Sequence, residues 1–216
     1  MSSVTRPLVW NEAPVGRPPS RAAGASPVVI PRRGLDTGPL SFPQQQIWLH
    51  SQLAPDVPLY NEQVTVRYRG VLDGSSLAQA FSDLLARHEA WRTAFVSEAS
   101  ALRQRIQPPT MIDLPLVDLR HLPPDERERE AMRLATEDLL RPFDLARGPL
   151  VRVRLAWFAD DDSRLYLTLH HSIFDGYSLY QVAVPELAAL YAAARAGTRA
   201  LLPPLIVPTM TSSLPV

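Results

Sequence analysis

The chain has 216 residues and zero formal net charge, with 22 Lys plus Arg against 22 Asp plus Glu. That balance excludes nucleic acid or an anionic membrane surface as its main partner. The absence of cysteine excludes a disulfide framework. The length supports one substantial core with short flanks. No stretch before Arg21 has a signal-type apolar centre and no window is long enough to span a bilayer, so a soluble, cytoplasmic protein is expected.

Residues 1–38 carry Pro7, Pro14, Pro18, Pro19, Pro27 and Pro31 among Ser, Ala, Gly and Arg, the composition of a flexible, partly extended linker. A first helix is predicted to start near Ser41, an N-cap, with Pro43 tolerated in the first turn and Ile47, Trp48 and Leu49 supplying apolar contacts. Val64, Val66 and Tyr68 alternate with Thr65, Arg67 and Arg69, as a half-buried strand does. Asp73 or Ser75 caps the next helix, whose Leu77, Phe81, Leu84, Leu85 and His88 share one face. His88 on that face reads as structural.

Short strands are expected around Thr93–Val96, Leu102–Gln107 and Leu116–Leu119, then a charged amphipathic helix from Pro123 to Leu140 with a solvated Glu/Arg face. Phe143 and Leu145 anchor the return, and Val151, Val153, Leu155 and Trp157 mark an alternating strand. Asp160, Asp161 and Asp162 make a hairpin turn; no EF-hand pattern surrounds them, so a solvated turn is preferred over calcium. A strand through Leu165, Leu167 and Leu169 follows, then a helix from about Leu179 to Arg195 that Pro185 must kink or delay. No internal repeat is visible.

Between that strand and that helix lies His170-His171-Ser172-Ile173-Phe174-Asp175-Gly176. A side chain at a strand end is held rigidly and can still face a cleft, and histidine is the side chain suited to proton transfer near neutral pH. A lone histidine there is more often a surface or satisfied core residue. Metal binding is disfavoured, because adjacent residues of a strand point to opposite faces. The alternation puts His171 in phase with the three leucines and His170 in phase with Tyr166 and Thr168. Gly176 permits a tight turn or the close approach of a substrate, and Asp175 accepts backbone N–H groups or pairs with an arginine.

His170 to Ser178 resembles the core motif of the condensation domains of nonribosomal peptide synthetases, in the superfamily of chloramphenicol acetyltransferase. Two further stretches agree in order. Ser41-Phe42-Pro43-Gln44-Gln45-Gln46-Ile47-Trp48 is similar to the opening signature Ser-x-Ala-Gln-x-Arg-Leu-Trp, departing at Pro43, Gln46 and Ile47. Arg87-His88-Glu89-Ala90-Trp91-Arg92-Thr93-Ala94-Phe95 is similar to Arg-His-Glu-x-Leu-Arg-Thr-x-Phe, with Trp91 in place of leucine. The resemblance covers roughly residues 30 to 200.

It implies an α/β fold: a chloramphenicol acetyltransferase-like lobe with a mixed β-sheet flanked by helices. It implies an acyltransferase that forms an amide between carrier-bound acyl or peptidyl and aminoacyl thioesters. His171 would be the base or orienting residue, grouped with His170, Asp175 and Gly176, with Arg87 and Arg92 supporting the site. Asp175 would pair with Arg92, and Gly176 would keep the loop near the reacting thioester. Nothing would be bound covalently; the substrates would ride on the phosphopantetheine of partner carrier proteins. Bottom-up chemistry agrees. An amine must lose its proton to attack, a thioester is already activated, and the chain has no Gly-x-Ser-x-Gly elbow, cysteine nucleophile or Gly-rich phosphate loop. Retention of both histidines argues against the heterocyclising subtype.

The expected division is a linker over 1–38, a condensation-domain N-terminal lobe over 39–200 and a loose tail over 201–216. Gly34-Leu35-Asp36-Thr37 has only a faint likeness to a carrier attachment site, with threonine where serine is needed, and reads as loop. The family domain has two lobes around a tunnel, and every match falls in the first, so a second lobe in cis or in trans is an expected partner. The alternatives are an acyltransferase with an alcohol or small-amine acceptor, and a non-catalytic interaction lobe or truncated remnant.

Overall fold

The computed structural model describes residues 8–11, 36–98 and 101–205. A five-stranded mixed sheet runs in the order β1-β3-β8-β7-β6: Leu8–Asn11, Asn61–Arg69, Asp162–His170, Val151–Ala159 and Leu116–Asp118. The three central strands are antiparallel neighbours, and the two short edges pair in parallel. A second, antiparallel sheet joins β2 (Thr37–Pro39), β5 (Ala101–Ile106) and β4 (Thr93–Glu98). The α/β lobe with a mixed sheet flanked by helices is the architecture found.

Helices cover both faces of the larger sheet. On one face α2 (Gly74–Arg87) and α4 (Val184–Arg195) bury Leu77, Phe81, Leu84 and Leu187 against Val64, Val66, Leu155, Leu165 and Leu167. On the other, α3 (Pro124–Leu140) sets Ala131 and Ala135 over Ala156, Phe158 and Tyr166. This double cover explains why β8 is buried at nearly every position, whereas β3 alternates. Each fully buried leucine contributes about 2 kcal/mol.

The local signals act as their chemistry requires. Ser41 caps α1 (Phe42–Leu53) in a reciprocal capping box with Gln44. Asp73 caps α2 through the Ser76 amide at 2.6 Å. Asn61, opening β3, donates from Nδ2 to the carbonyls of Leu139 and Arg141, at 2.8 and 2.9 Å, and so closes the C-terminal end of α3. Ahead of α4, Ser178–Ala183 is wound as a π-helix in which the Val184 amide reaches back to the Leu179 carbonyl. Pro185 then sits in the first turn of α4, where no N–H is needed, so the proline delays the α-helix rather than kinking it.

Four expectations change. Strand β7 is buried on both faces beyond Leu155: Ala156 and Phe158 pack on the α3 side, Trp157 is left half-buried under the Arg120 guanidinium, and a bulge follows between Trp157 and Ala159. Trp48 is only partly buried against the core and Leu49 is exposed, because α1 buries no side chain fully. Within the expected linker, Leu8–Asn11 pairs with Val66–Arg69, and Thr37–Pro39 with Arg103–Arg105; residues 1–7 and 12–35 lie outside the described residues. Within the expected tail, Leu202 packs against the core and the Pro203 carbonyl accepts from Arg87, while 206–216 lie outside the described residues.

Candidate functional site

The two adjacent histidines end in opposite environments. His170, the last residue of β8, is 5% exposed, with its ring between those of Tyr60 and Phe143. Its Nδ1 lies 2.7 Å from the Ser172 hydroxyl. Burial, and then the neighbouring His171, push its pKa down to about 4, so its imidazole is neutral at neutral pH. Buried and neutral, His170 packs into the turn through its Ser172 contact.

His171 stands one step further along. Its backbone N–H donates to the Tyr60 carbonyl at 2.8 Å, extending the strand ladder by one bond. Its side chain is 43% exposed, with Nδ1 3.1 Å from Glu62 Oε1. The Phe174 ring meets the imidazole edge to face at 5.4 Å. Nε2 has no partner among the described residues. A histidine held at the backbone and the ring face, with a carboxylate beside Nδ1 and the other nitrogen open, is arranged to accept or position a proton.

The turn beyond it is tied down by Asp175. Its Oδ1 accepts from the Ser178 amide at 2.7 Å, and Ser178 Oγ accepts from the Asp175 amide at 2.9 Å. The Ser178 backbone and side-chain hydrogen bonds hold the Asp175 carboxyl below its ordinary pKa. The expected Asp175–Arg92 pair is not formed. Arg92 donates to the Gln107 carbonyl and stands 3.9 Å from Glu89, at the entry to β4 in the other sheet. Gly176 has no left-handed backbone, and a Cβ there would meet nothing within 4 Å. The tight-turn reason for that glycine therefore fails, and the ground above it is open.

The other two stretches brace this turn from outside. Gln44, in the first turn of α1, donates to the Ser172 carbonyl at 3.3 Å. Arg87 donates to both carboxylate oxygens of Glu186, at 2.8 and 3.2 Å, and His88 Nε2 lies 2.7 Å from Glu186 Oε2. Burial raises the Glu186 pKa, but the hydrogen bonds from His88 and Arg87 outweigh it and leave a net lowering. Arg87 and His88 thus fasten the end of α2 to the start of α4, the helix that the His-His turn feeds. Sequence reasoning missed Glu186 and Glu62. Glu62 had a signal: a carboxylate in phase with the buried Val64, Val66 and Tyr68. No group of three or more metal-ligating side chains occurs among the described residues, and none of their helices is long and apolar enough to cross a membrane.

Comparison with known proteins follows the same outline. The family model for the condensation domain matches residues 35–206. Phosphinothricin tripeptide synthetase PhsC of Streptomyces viridochromogenes is 42% identical over 186 residues, 85% of this chain and 17% of that protein. Chondramide synthase cmdD of Chondromyces crocatus is 37% identical over 171 residues, 79% of this chain and 4% of that protein. Among solved structures, the starter condensation domain of rhizomide synthetase RzmA aligns with a TM-score of 0.69 at 30% identity, covering 76% of this chain and 41% of that one. A variant of the same domain, in complex with C8-CoA and Leu-SNAC, aligns at 0.68 and 29%, covering 77% of this chain and 38% of that one. The chain therefore spans less than half of those domains and a small part of the synthetases. With the family model matched from just before the second sheet's first strand to beyond α4, the chain belongs to the condensation-domain family.

Proposed function

We propose that this chain is the N-terminal lobe of a peptide-synthetase condensation domain, occupying about residues 39–200, and that it works in the cytoplasm with carrier proteins and a second lobe. The reaction joins two thioesters. The α-amine of a carrier-bound aminoacyl group attacks the carbonyl of a carrier-bound acyl or peptidyl group; the C–N bond forms, the C–S bond breaks and the donor thiol leaves. His171 accepts or orients the amine proton at Nε2 and returns a proton to the departing sulfur. Much of the rate comes from holding two tethered substrates together. The phosphopantetheine arms belong to the carriers, and the open ground above Gly176 leaves room for one to pass.

The single observation that carries this reading is the presentation of His171, held at its backbone and ring face beside the Glu62 carboxylate and open at Nε2, in a chain of this family. The test joins the chain to a second condensation lobe and supplies loaded donor and acceptor carriers. His171→Ala is expected to lower kcat about 10²–10⁴-fold, with the domain still folded by circular dichroism. Undiminished product from that variant would make this a non-catalytic lobe.

A further inference from the structure

Glu62 stands at the open end of the row Glu62, Val64, Val66, Tyr68 on β3, where the register sets it opposite Leu169 and diagonal to His171. Its Oε1 lies 3.1 Å from His171 Nδ1. Two residues earlier, the Tyr60 carbonyl takes the His171 backbone N–H at 2.8 Å. One short run therefore grips both the main chain and the ring of His171. Asp175 also places negative charge near that ring, but its carboxylate is engaged by the Ser178 amide.

We propose that Glu62 is a positioning residue: its carboxylate keeps the proton of the neutral imidazole on Nδ1, so that the lone pair of Nε2 faces the incoming amine. A carboxylate on one ring nitrogen selects the tautomer and steadies the cation that forms when the other takes a proton. When the acceptor amine attacks, its proton passes to Nε2. The imidazolium then lies beside Glu62, and the proton leaves with the donor sulfur as the C–S bond breaks. The Glu62–His171 contact is half-exposed on both sides and contributes little to stability, so its effect falls on the ring and not on the fold.

The inference rests on the reading of His171 as the reacting group, and the test separates the two. In the chain completed by a second lobe, nitrogen-15 shifts of the His171 ring report the tautomer, and steady-state rates report kcat and the acceptor KM. Glu62→Gln is expected to mix the two tautomers and lower kcat about 10–100-fold with KM unchanged, and Glu62→Asp to recover part of both. Asp175→Asn is expected to leave the tautomer as it is. If Glu62→Gln leaves either tautomer or kcat unchanged while His171→Ala is inactive, Glu62 is not a positioning residue. If His171→Ala retains full turnover, the functional reading falls and the catalytic role of Glu62 with it.

Discussion

Glu186 and Glu62 each bring a carboxylate to an imidazole nitrogen, at 2.7 Å to His88 and 3.1 Å to His171. The His88 and Glu186 side chains are only 6% and 11% exposed, and Arg87 brings a guanidinium to the same carboxylate. The His171 and Glu62 side chains are 43% and 54% exposed, and one ring nitrogen is left open. The same pair of residue types fastens two helices to each other in one case and leaves an imidazole nitrogen accessible in the other. Solvent access and the number of partners, more than distance, separate the buried pair from the open one.

Removing the buried carboxylate should have the largest effect. Glu186→Ala leaves Arg87 and His88 facing an empty place and is expected to cost about 3–5 kcal/mol, read as a lowered urea midpoint at constant slope. A loss below about 1 kcal/mol would erase the contrast. His170 sharpens it from another side, being buried like His88 but facing a hydroxyl. Its folded pKa of about 4 lies below the ordinary 6.5, so the unfolded chain binds the proton first as pH falls. Stability from this group is intact above about pH 6.5, declines between about 6.5 and 4, and totals about 3 kcal/mol. The urea midpoint should fall over that range more steeply than in a His170→Phe variant, and equal slopes would refute it. The smallest effect belongs to the open pair. Glu62→Gln is expected to change stability by less than about 0.5 kcal/mol, and a loss comparable to Glu186→Ala would make it a structural pair after all.

Much of the lobe is legible in the sequence because its signals are local. Ser41 and Asp73 cap by reaching the amide three residues on, Pro185 restricts its own helix, and the alternation of Val64, Val66 and Tyr68 needs only a two-residue period. The opposite facing of His170 and His171 follows from that period as well. What is not legible depends on distant residues. Glu186 lies 98 positions beyond His88, and nothing in either neighbourhood announces the other. The resemblance pairs Arg92 with Asp175, but Arg92 sits at the mouth of a different sheet and finds a backbone carbonyl closer at hand. The burial of Ala156 and Phe158 on the second face of β7 comes from α3, a helix elsewhere in the chain, and is invisible to the alternation of one strand read alone.

Tyr60, Asn61 and Glu62 engage three separate parts of the lobe in succession: the His171 backbone, the end of α3 and the His171 ring. For anyone recombining synthetase modules, this fixes where a seam is harmless. A junction placed ahead of Tyr60, in residues 54–59, leaves all three of these contacts untouched. A junction inside the tripeptide that adds or drops one residue would rotate every later side chain of β3 to the opposite face. It would turn the carboxylate away from the histidine and release the helix end in the same stroke, leaving a hybrid with all its motifs intact and none of them in register.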